Sequence, residues 1–198
     1  MTEIIASITM SVDGYITGPD DGPDKGLGEG GERLHYWVFG GPWSYDHEPD
    51  DQPKGEDAEY LAEMMARVGA VVVGRNMYEA ADHWGGRNPF GVPLFVVTHR
   101  PDEEPDGDEF HFVGSFDEGI ERAREAAGHK AVSIGGGADV IRQALAAGIV
   151  DELDIVVAPV VLGGGKLLFQ DFTRSIDLEQ RGVRQSHWAT FITYAVKR

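Results

Sequence analysis

The residues with the clearest chemical potential are glycines set between apolar runs and helical patterns. VSIGGGADVIRQAL, residues 132–145, carries Gly135, Gly136, Gly137 and Ala138 between a β-like run and an amphipathic helix. A glycine turn at a helix N-terminus exposes backbone N–H groups and the positive end of the helix dipole, which suits a pyrophosphate. It serves equally well as a plain tight turn, and it is not the six-residue dinucleotide fingerprint. VVVGRNMYE adds Gly74 and Arg75, where a guanidinium at a helix start could meet a phosphate or simply pair with a carboxylate. In VTHR, Thr98, His99 and Arg100 could hold the adenosine 2′-phosphate of NADP or form an ordinary polar strand end. APVVLGGGKLLF brings a second glycine triplet and Lys166, compatible with a tight loop or a β-bulge.

Other chemistries lack their residues. The seven histidines (35, 47, 83, 99, 111, 129 and 187) have no paired ligand spacing, so no metal site is expected. No G-x-S-x-G elbow and no G-x-x-x-x-G-K-[ST] loop occurs. GPDDGPDKG has the composition of a calcium loop without its spacing. With no cysteine, disulfides and thiol chemistry are excluded, which fits a reducing cytoplasm.

These glycines need strands and helices to present them. IIASITM (4–10) reads as a strand closed by the Asp13-Gly14 turn. Residues 17–31 are too rich in Gly, Asp and Pro for regular structure and are expected to be mobile. Leu34, Trp37 and Val38 suggest a short helix, and a second acidic loop runs to about residue 55. Leu61, Met64, Met65 and Val68 mark a helix ending at Gly69. Strands follow at 70–74, 93–98, 110–113 and 131–134, with the charged loop RPDEEPDGDE between the second and third. Helices start at Arg75, after a Ser115/Glu118 capping box, and before Val140. DELDIVVAPVVL is expected as one long strand, and DLEQRGVRQS with WATFITYAV as an antiparallel pair. Alternating strands and helices imply a mostly parallel sheet covered on both faces. Binding sites in such sheets lie beyond the strand C-termini, so the ends at 74, 98, 135 and 163 are expected on one rim.

The 198 residues suit one domain spanning 1–198, and 41% hydrophobic content suits a packed core. A net charge of −17 opposes binding to nucleic acid or an anionic membrane. The N-terminus shows no signal peptide, so a cytoplasmic protein is expected.

SITMSVDGYITGPD, GEGGERLHYW, VVVGRNMYE, FVVTHRP, VSIGGGADVIRQAL and DELDIVVAPVVLGGGKLLF, in this order, resemble standalone bacterial members of the dihydrofolate reductase-like superfamily. The group is similar to the reductase domain of the bifunctional deaminase–reductase of riboflavin biosynthesis. The resemblance implies an α/β, three-layer fold with a mostly parallel twisted sheet and antiparallel C-terminal edge strands, often as a homodimer. It implies NADPH as cofactor, held by Gly74, Arg75, Asn76 and Met77, by Thr98, His99 and Arg100, by Gly135, Gly136, Gly137 and Ala138, and by Leu162, Gly163 and Gly165. It implies hydride transfer to a small heterocyclic or carbonyl substrate, as in 5-amino-6-(5-phosphoribosylamino)uracil reductase.

Two departures separate the chain from the riboflavin reductases. Ser7 stands where they carry a lysine, and AADHWGGRNPFG has no clean match to their ribose-phosphate-binding segment; Asp82 and Arg87 are loose substitutes. Ser11, Tyr15 and Trp37 are candidates for substrate binding, with Asp13 and His35 as catalytic candidates and His35 as the proton donor. Asp13 can equally be a turn residue and Trp37 a core residue. Loop 17–31 could close over the nicotinamide. The alternative is a non-catalytic NADP(H)-binding or regulatory module that has lost its substrate site.

Overall fold

The computed structural model describes residues 2–47, 51–101 and 109–197. Most of the expected charged loop RPDEEPDGDE, and residues 48–50 of the second acidic loop, lie outside them. The elements are β1 (Ile4–Ser11), α1 (Tyr36–Phe39), α2 (Glu56–Arg67), β2 (Val68–Gly74), α3 (Arg75–Ala80), β3 (Leu94–Val97), β4 (His111–Val113), α4 (Phe116–Ala127), β5 (Ala131–Gly136), α5 (Ala138–Ala146), β6 (Glu152–Ala158), β7 (Leu178–Gln185) and β8 (Thr190–Val196).

The strands form an eight-stranded sheet in the order β4-β3-β2-β5-β1-β6-β8-β7. Neighbours from β4 through β6 run parallel, whereas β8 is antiparallel to both β6 and β7. The three-layer α/β architecture expected from the alternating elements is therefore present. Period-2 alternation splits the strands between two faces. Ile4, Ala6, Val72, Ile134 and Ile155 pack under Ile120, Ala123, Ile141 and Leu145 of α4 and α5. On the other face Val156 and Phe191 pack with Trp37 and Tyr60 from α1 and α2. Ser7, Thr9 and Ser133 share that second face by register, so small polar groups interrupt its apolar surface.

Several boundaries differ from the sequence reading, each for a local reason. α2 stops at Arg67, and Gly69 already belongs to β2. A Cβ on Gly69 would lie 2.6 Å from the Ala127 carbonyl oxygen, so this glycine permits strand–helix contact instead of ending a helix. β6 ends at Ala158, because Pro159 has no N–H to continue the ladder. β5 runs on to Gly136, so two glycines of the first triplet are strand residues. Ser115 caps α4 by accepting from Glu118 N–H at 3.2 Å, but Glu118 reaches back to Gly114 N–H instead of completing the box at Ser115. The short helix around Leu34 is a 3-10 turn, Gly31–His35, followed by α1.

Loop 17–31 lacks regular structure, as expected, yet it is tightly packed. Gly18 N–H donates to Leu27 O at 2.7 Å, Glu29 N–H to Pro19 O at 2.7 Å, and Leu27 N–H to the Tyr45 hydroxyl at 2.7 Å. A Cβ on Gly18 would fall 2.0 Å from Glu29 O. Its glycines let backbone meet backbone.

Candidate active-site cleft

A cleft of about 1310 Å³ opens over the C-terminal ends of β1, β2, β3 and β5. Of the anticipated residues, Gly74, Arg75, Asn76, Met77, Thr98, His99, Arg100, Gly135, Gly137, Ala138, Gly165, His35 and Trp37 line it. The parallel strands bring their C-terminal ends together, which is why segments distant in sequence converge. The expected rim holds at 74, 98 and 135.

At the fourth position the expectation is corrected. Leu162 and Gly163 are not among the lining residues; Leu162 packs on Leu34, Ala158 and Val160. Their amides donate to Asp13, at 3.1 Å from Leu162 and 2.7 Å from Gly163. The Ser11 hydroxyl, then these N–H groups, hold the Asp13 carboxyl down at about 2. Asp13 is therefore an anionic clasp between two turns, outside the cleft lining, which favours the turn reading of this residue. Ser11 is fully buried and accepts from Tyr15 N–H at 2.9 Å, closing the same turn. Tyr15 bridges to Leu167. These three residues fasten the end of β1 to the segment 162–168 and are not among the residues that line the cleft.

Gly136 is also absent from the lining. Its φ of +123° favours glycine, and a Cβ there would sit 3.1 Å from both Ile8 Cδ1 and Met77 Sδ. Gly137 is the opposite case: a Cβ would meet nothing within 4 Å, so the backbone faces open cleft. Gly137 is the N-cap of α5 and supplies no side-chain cap. The first amide to bond back along the chain is Ile141 N–H, to Gly137 O at 3.4 Å. The preceding amides of Ala138, Asp139 and Val140 thus have no partner within the helix.

The cations are already engaged. Arg75 Nε donates to Glu79 Oε1 at 2.7 Å, and an Arg100 terminal nitrogen lies 3.7 Å from the same oxygen. Thr98 is buried, and its hydroxyl accepts from Arg100 N–H at 3.1 Å, so it shapes the turn that carries Arg100. Lys166 pairs with Asp21 of loop 17–31, and its amide donates to the Thr17 hydroxyl at 3.2 Å. Gly165, with φ +118°, allows this approach, since a Cβ there would strike Thr17 O. Asp21, Pro23, Asp24, Gly26 and Leu27 consequently form one wall of the cleft.

His35 lies in the cleft, but desolvation pulls its pKa down to about 4. Burial thus favours the uncharged imidazole at neutral pH, which weighs against the expected role as proton donor. The fold binds fewer protons here than the unfolded chain, whose histidine titrates at 6.5. The contribution is complete above 6.5 and lost as pH falls through 4, by about 2–3 kcal/mol. Asp154, whose carboxyl burial pushes up to about 6, carries the opposite slope. The measurable quantity is therefore the difference between proteins. Urea unfolding at pH 7 and pH 4.5 should show a smaller acid loss in His35→Gln than in the parent.

Trp37 is a core residue that also reaches the cleft: it is 5% exposed, donates from Nε1 to Thr9 Oγ1 at 3.1 Å, and lines the cleft. The sequence reading missed Phe39, Trp43, Tyr45, Met64 and Met65, which line the cleft with Trp37, and Trp84 and Phe90, which line it from the cluster over β2, β3 and β4. It also missed Thr9 and Ser133 on the sheet floor; two hydroxyls inside otherwise apolar strands were the available signal. Among the described residues no group of three or more His, Asp or Glu could hold a metal ion.

The RibD C-terminal domain description matches residues 2–190. The chain belongs to the RibD C-terminal domain family. A relative, the uncharacterized protein YwjB of Bacillus subtilis (strain 168), is 28% identical over 149 residues, covering 73% of this chain and 83% of its own. A Shewanella sp. PV-4 protein provisionally assigned to riboflavin biosynthesis has a solved structure with 26% identity and TM-score 0.71, covering both chains fully. Two more distant structures share the fold. A pyrimidine reductase-like protein of Corynebacterium diphtheriae has 19% identity and TM-score 0.62, over 100% of this chain and 92% of that one. Dihydrofolate reductase of Enterococcus faecalis, complexed with NADP(H) and RAB-propyl, has 16% identity and TM-score 0.58, over 99% and 97%. Membership places the chain in a reductase-like family with a dihydrofolate reductase-like fold. Among the described residues no helix is long and apolar enough to cross a membrane.

Proposed function

We propose that this member of the RibD C-terminal domain family is an NADPH-dependent reductase of a small planar heterocycle or carbonyl compound. The observation that carries the reading is the open N-terminus of α5. Gly137 faces the cleft with no side chain and no room-filling neighbour, and three amides behind it lack helical partners. That cradle fits a pyrophosphate, because donors and dipole converge where a Cβ would otherwise stand. The Enterococcus faecalis enzyme that shares the fold is complexed with NADP(H), which supports the same choice of cofactor.

Bound NADPH would supply a hydride from its nicotinamide ring. Ala138, Asp139 and Val140 would donate backbone hydrogen bonds to the pyrophosphate. Arg75 and Arg100 would turn from Glu79 toward the adenosine phosphate, with His99 beside them. The wall of loop 17–31, latched by Lys166 and Asp21, would exclude water from the reacting atoms.

The far end of the cleft sets the substrate class. Trp37, Phe39, Trp43, Tyr45, Met64 and Met65 offer flat apolar surface around the hydroxyls of Ser7 and Thr9. Ser7 occupies the position of the riboflavin reductases' lysine, and Lys166 is paired with Asp21. This end therefore suits an uncharged planar ring better than a ribose phosphate. NADPH oxidation followed at 340 nm across pterins, deaminated pyrimidine ribosides and simple carbonyls tests the reading. Turnover of an unphosphorylated planar compound is the expected result. Tight NADPH binding with no turnover on any compound would favour a cofactor-binding module, and no NADPH binding would sink both.

A further inference from the structure

Beneath the apolar end of the cleft lies a buried polar cluster that cofactor binding does not use. Asp154 stands in the middle of β6, 3% exposed, with Ser7 of β1 as its register partner on one side and Thr193 of β8 on the other. Tyr60 of α2, 7% exposed, covers the same place and lies close enough to interact with both Ser7 and Asp154. Tyr60 Oη and Asp154 Oδ1 are both buried without a well-formed hydrogen bond. Buried polar groups left without a well-formed partner are costly, so two of them in one cluster call for a functional explanation. Ser7 is the member of the cluster that lines the cleft, and its hydroxyl donates to the Met64 thioether at 3.7 Å as well as lying within reach of Tyr60. Sulfur is a weak acceptor that a ring nitrogen or carbonyl oxygen would displace.

We propose that Asp154 is a proton reservoir for the cleft, delivering through the hydroxyls of Tyr60 and Ser7. The inference rests on the reductase reading for its purpose, and on the cluster alone for its existence. The substrate carbon gains a hydride, and its heteroatom gains the Ser7 hydroxyl proton. Ser7 is refilled from Tyr60, and Tyr60 from the Asp154 carboxyl. The carboxylate left behind takes a proton from solvent after product leaves. His35, neutral in the fold, is not needed as the acid.

The groups facing Asp154 fit a carboxyl that holds its proton well above the usual carboxylate range, up to about pH 6. Burial pushes it up to about 6, against the Thr193 hydroxyl; Glu152 and Glu3 add to the rise, and Arg67 from α2 opposes it. Arg67 is itself drawn to Glu152 at 2.7 Å and Glu3 at 3.5 Å, which limits what it can give Asp154. Desolvation and the nearby Asp154 raise Tyr60 above an ordinary phenol, so it passes a proton without standing ionised.

Infrared titration of the ligand-free protein tests this without a substrate. A protonated-carboxyl band with a midpoint near 6 should be present in the parent and missing in Asp154→Asn. After a jump into deuterated buffer, exchange of that carboxyl should slow by at least about tenfold in Ser7→Ala and in Tyr60→Phe. Both variants remove one oxygen, and Ser7→Ala reads the band even if Asp154→Asn fails to fold. An unaltered spectrum in Asp154→Asn, or unaltered exchange in both hydroxyl variants, would overturn the proposal. With any panel compound that turns over, kcat should fall above the midpoint in the parent and lose that dependence in Asp154→Asn, with KM little changed. A kcat profile shared by both proteins would also overturn it. Failure of the parent to bind NADPH would defeat the reductase reading alone, since the infrared arm stands apart from it.

Discussion

Gly137→Ala should weaken NADPH binding by about tenfold to a hundredfold while leaving the melting temperature close to that of the parent. The methyl group meets no protein atom within 4 Å, so the fold has little to repack. It enters the space where the pyrophosphate must approach the amides of Ala138 and Asp139. Losing one charge-assisted hydrogen bond costs about 1.5–3 kcal/mol, which gives that range of affinity. Gly136→Ala, one residue earlier, should behave differently. Its φ of +123° and its 3.1 Å approaches to Ile8 and Met77 fall on the fold, at about 1–3 kcal/mol of stability. Fluorescence titration with NADPH and thermal unfolding, run on both proteins, separate the two effects.

Trp37→Ala should be the most damaging single truncation on the apolar side of the cleft, at about 3–5 kcal/mol of unfolding free energy. Trp37 packs edge-on against Tyr60 at 5.8 Å and Phe191 at 5.4 Å between ring centres, so its loss opens the layer between α1, α2 and the sheet. Trp37→Phe keeps most of that contact and should cost about 1 kcal/mol, from leaving the buried Thr9 hydroxyl without its indole donor. Urea unfolding at pH 7 measures both. A small loss in the alanine variant would mean that Trp37 is a movable wall of the cleft, contrary to its 5% exposure.

The sheet was legible because its strands advertise themselves. Val71, Val72 and Val73 form a continuous buried run, as central parallel strands do, and the segments from Leu178 to Val196 pair antiparallel at the edge. The convergence of strand ends followed from the same logic, since Gly74, Thr98 and Gly135 line one cleft. Two kinds of feature were hidden. Asp13 carries the residue type of a catalytic acid, and only the fold reveals that its partners are amides 149 and 150 residues away. Asp154 sits inside an apolar strand, and its meaning depends on Tyr60 and Thr193 arriving from α2 and β8. Pairing between distant segments is set by sheet order, and a β6 lying between β1 and β8 is not written in any local pattern. Gly69 shows the same limit on a smaller scale, for a helix stop and a close-contact glycine look alike until α4 is in place.

A crystal structure of the protein with NADPH tests the central claim most directly. The account predicts pyrophosphate oxygens within hydrogen-bonding distance of the Ala138 and Asp139 amides, Arg100 turned from Glu79 toward the adenosine phosphate, and the nicotinamide beside Ser7 and Thr9. A cofactor bound elsewhere, or an α5 N-terminus left bare at saturating NADPH, would contradict it.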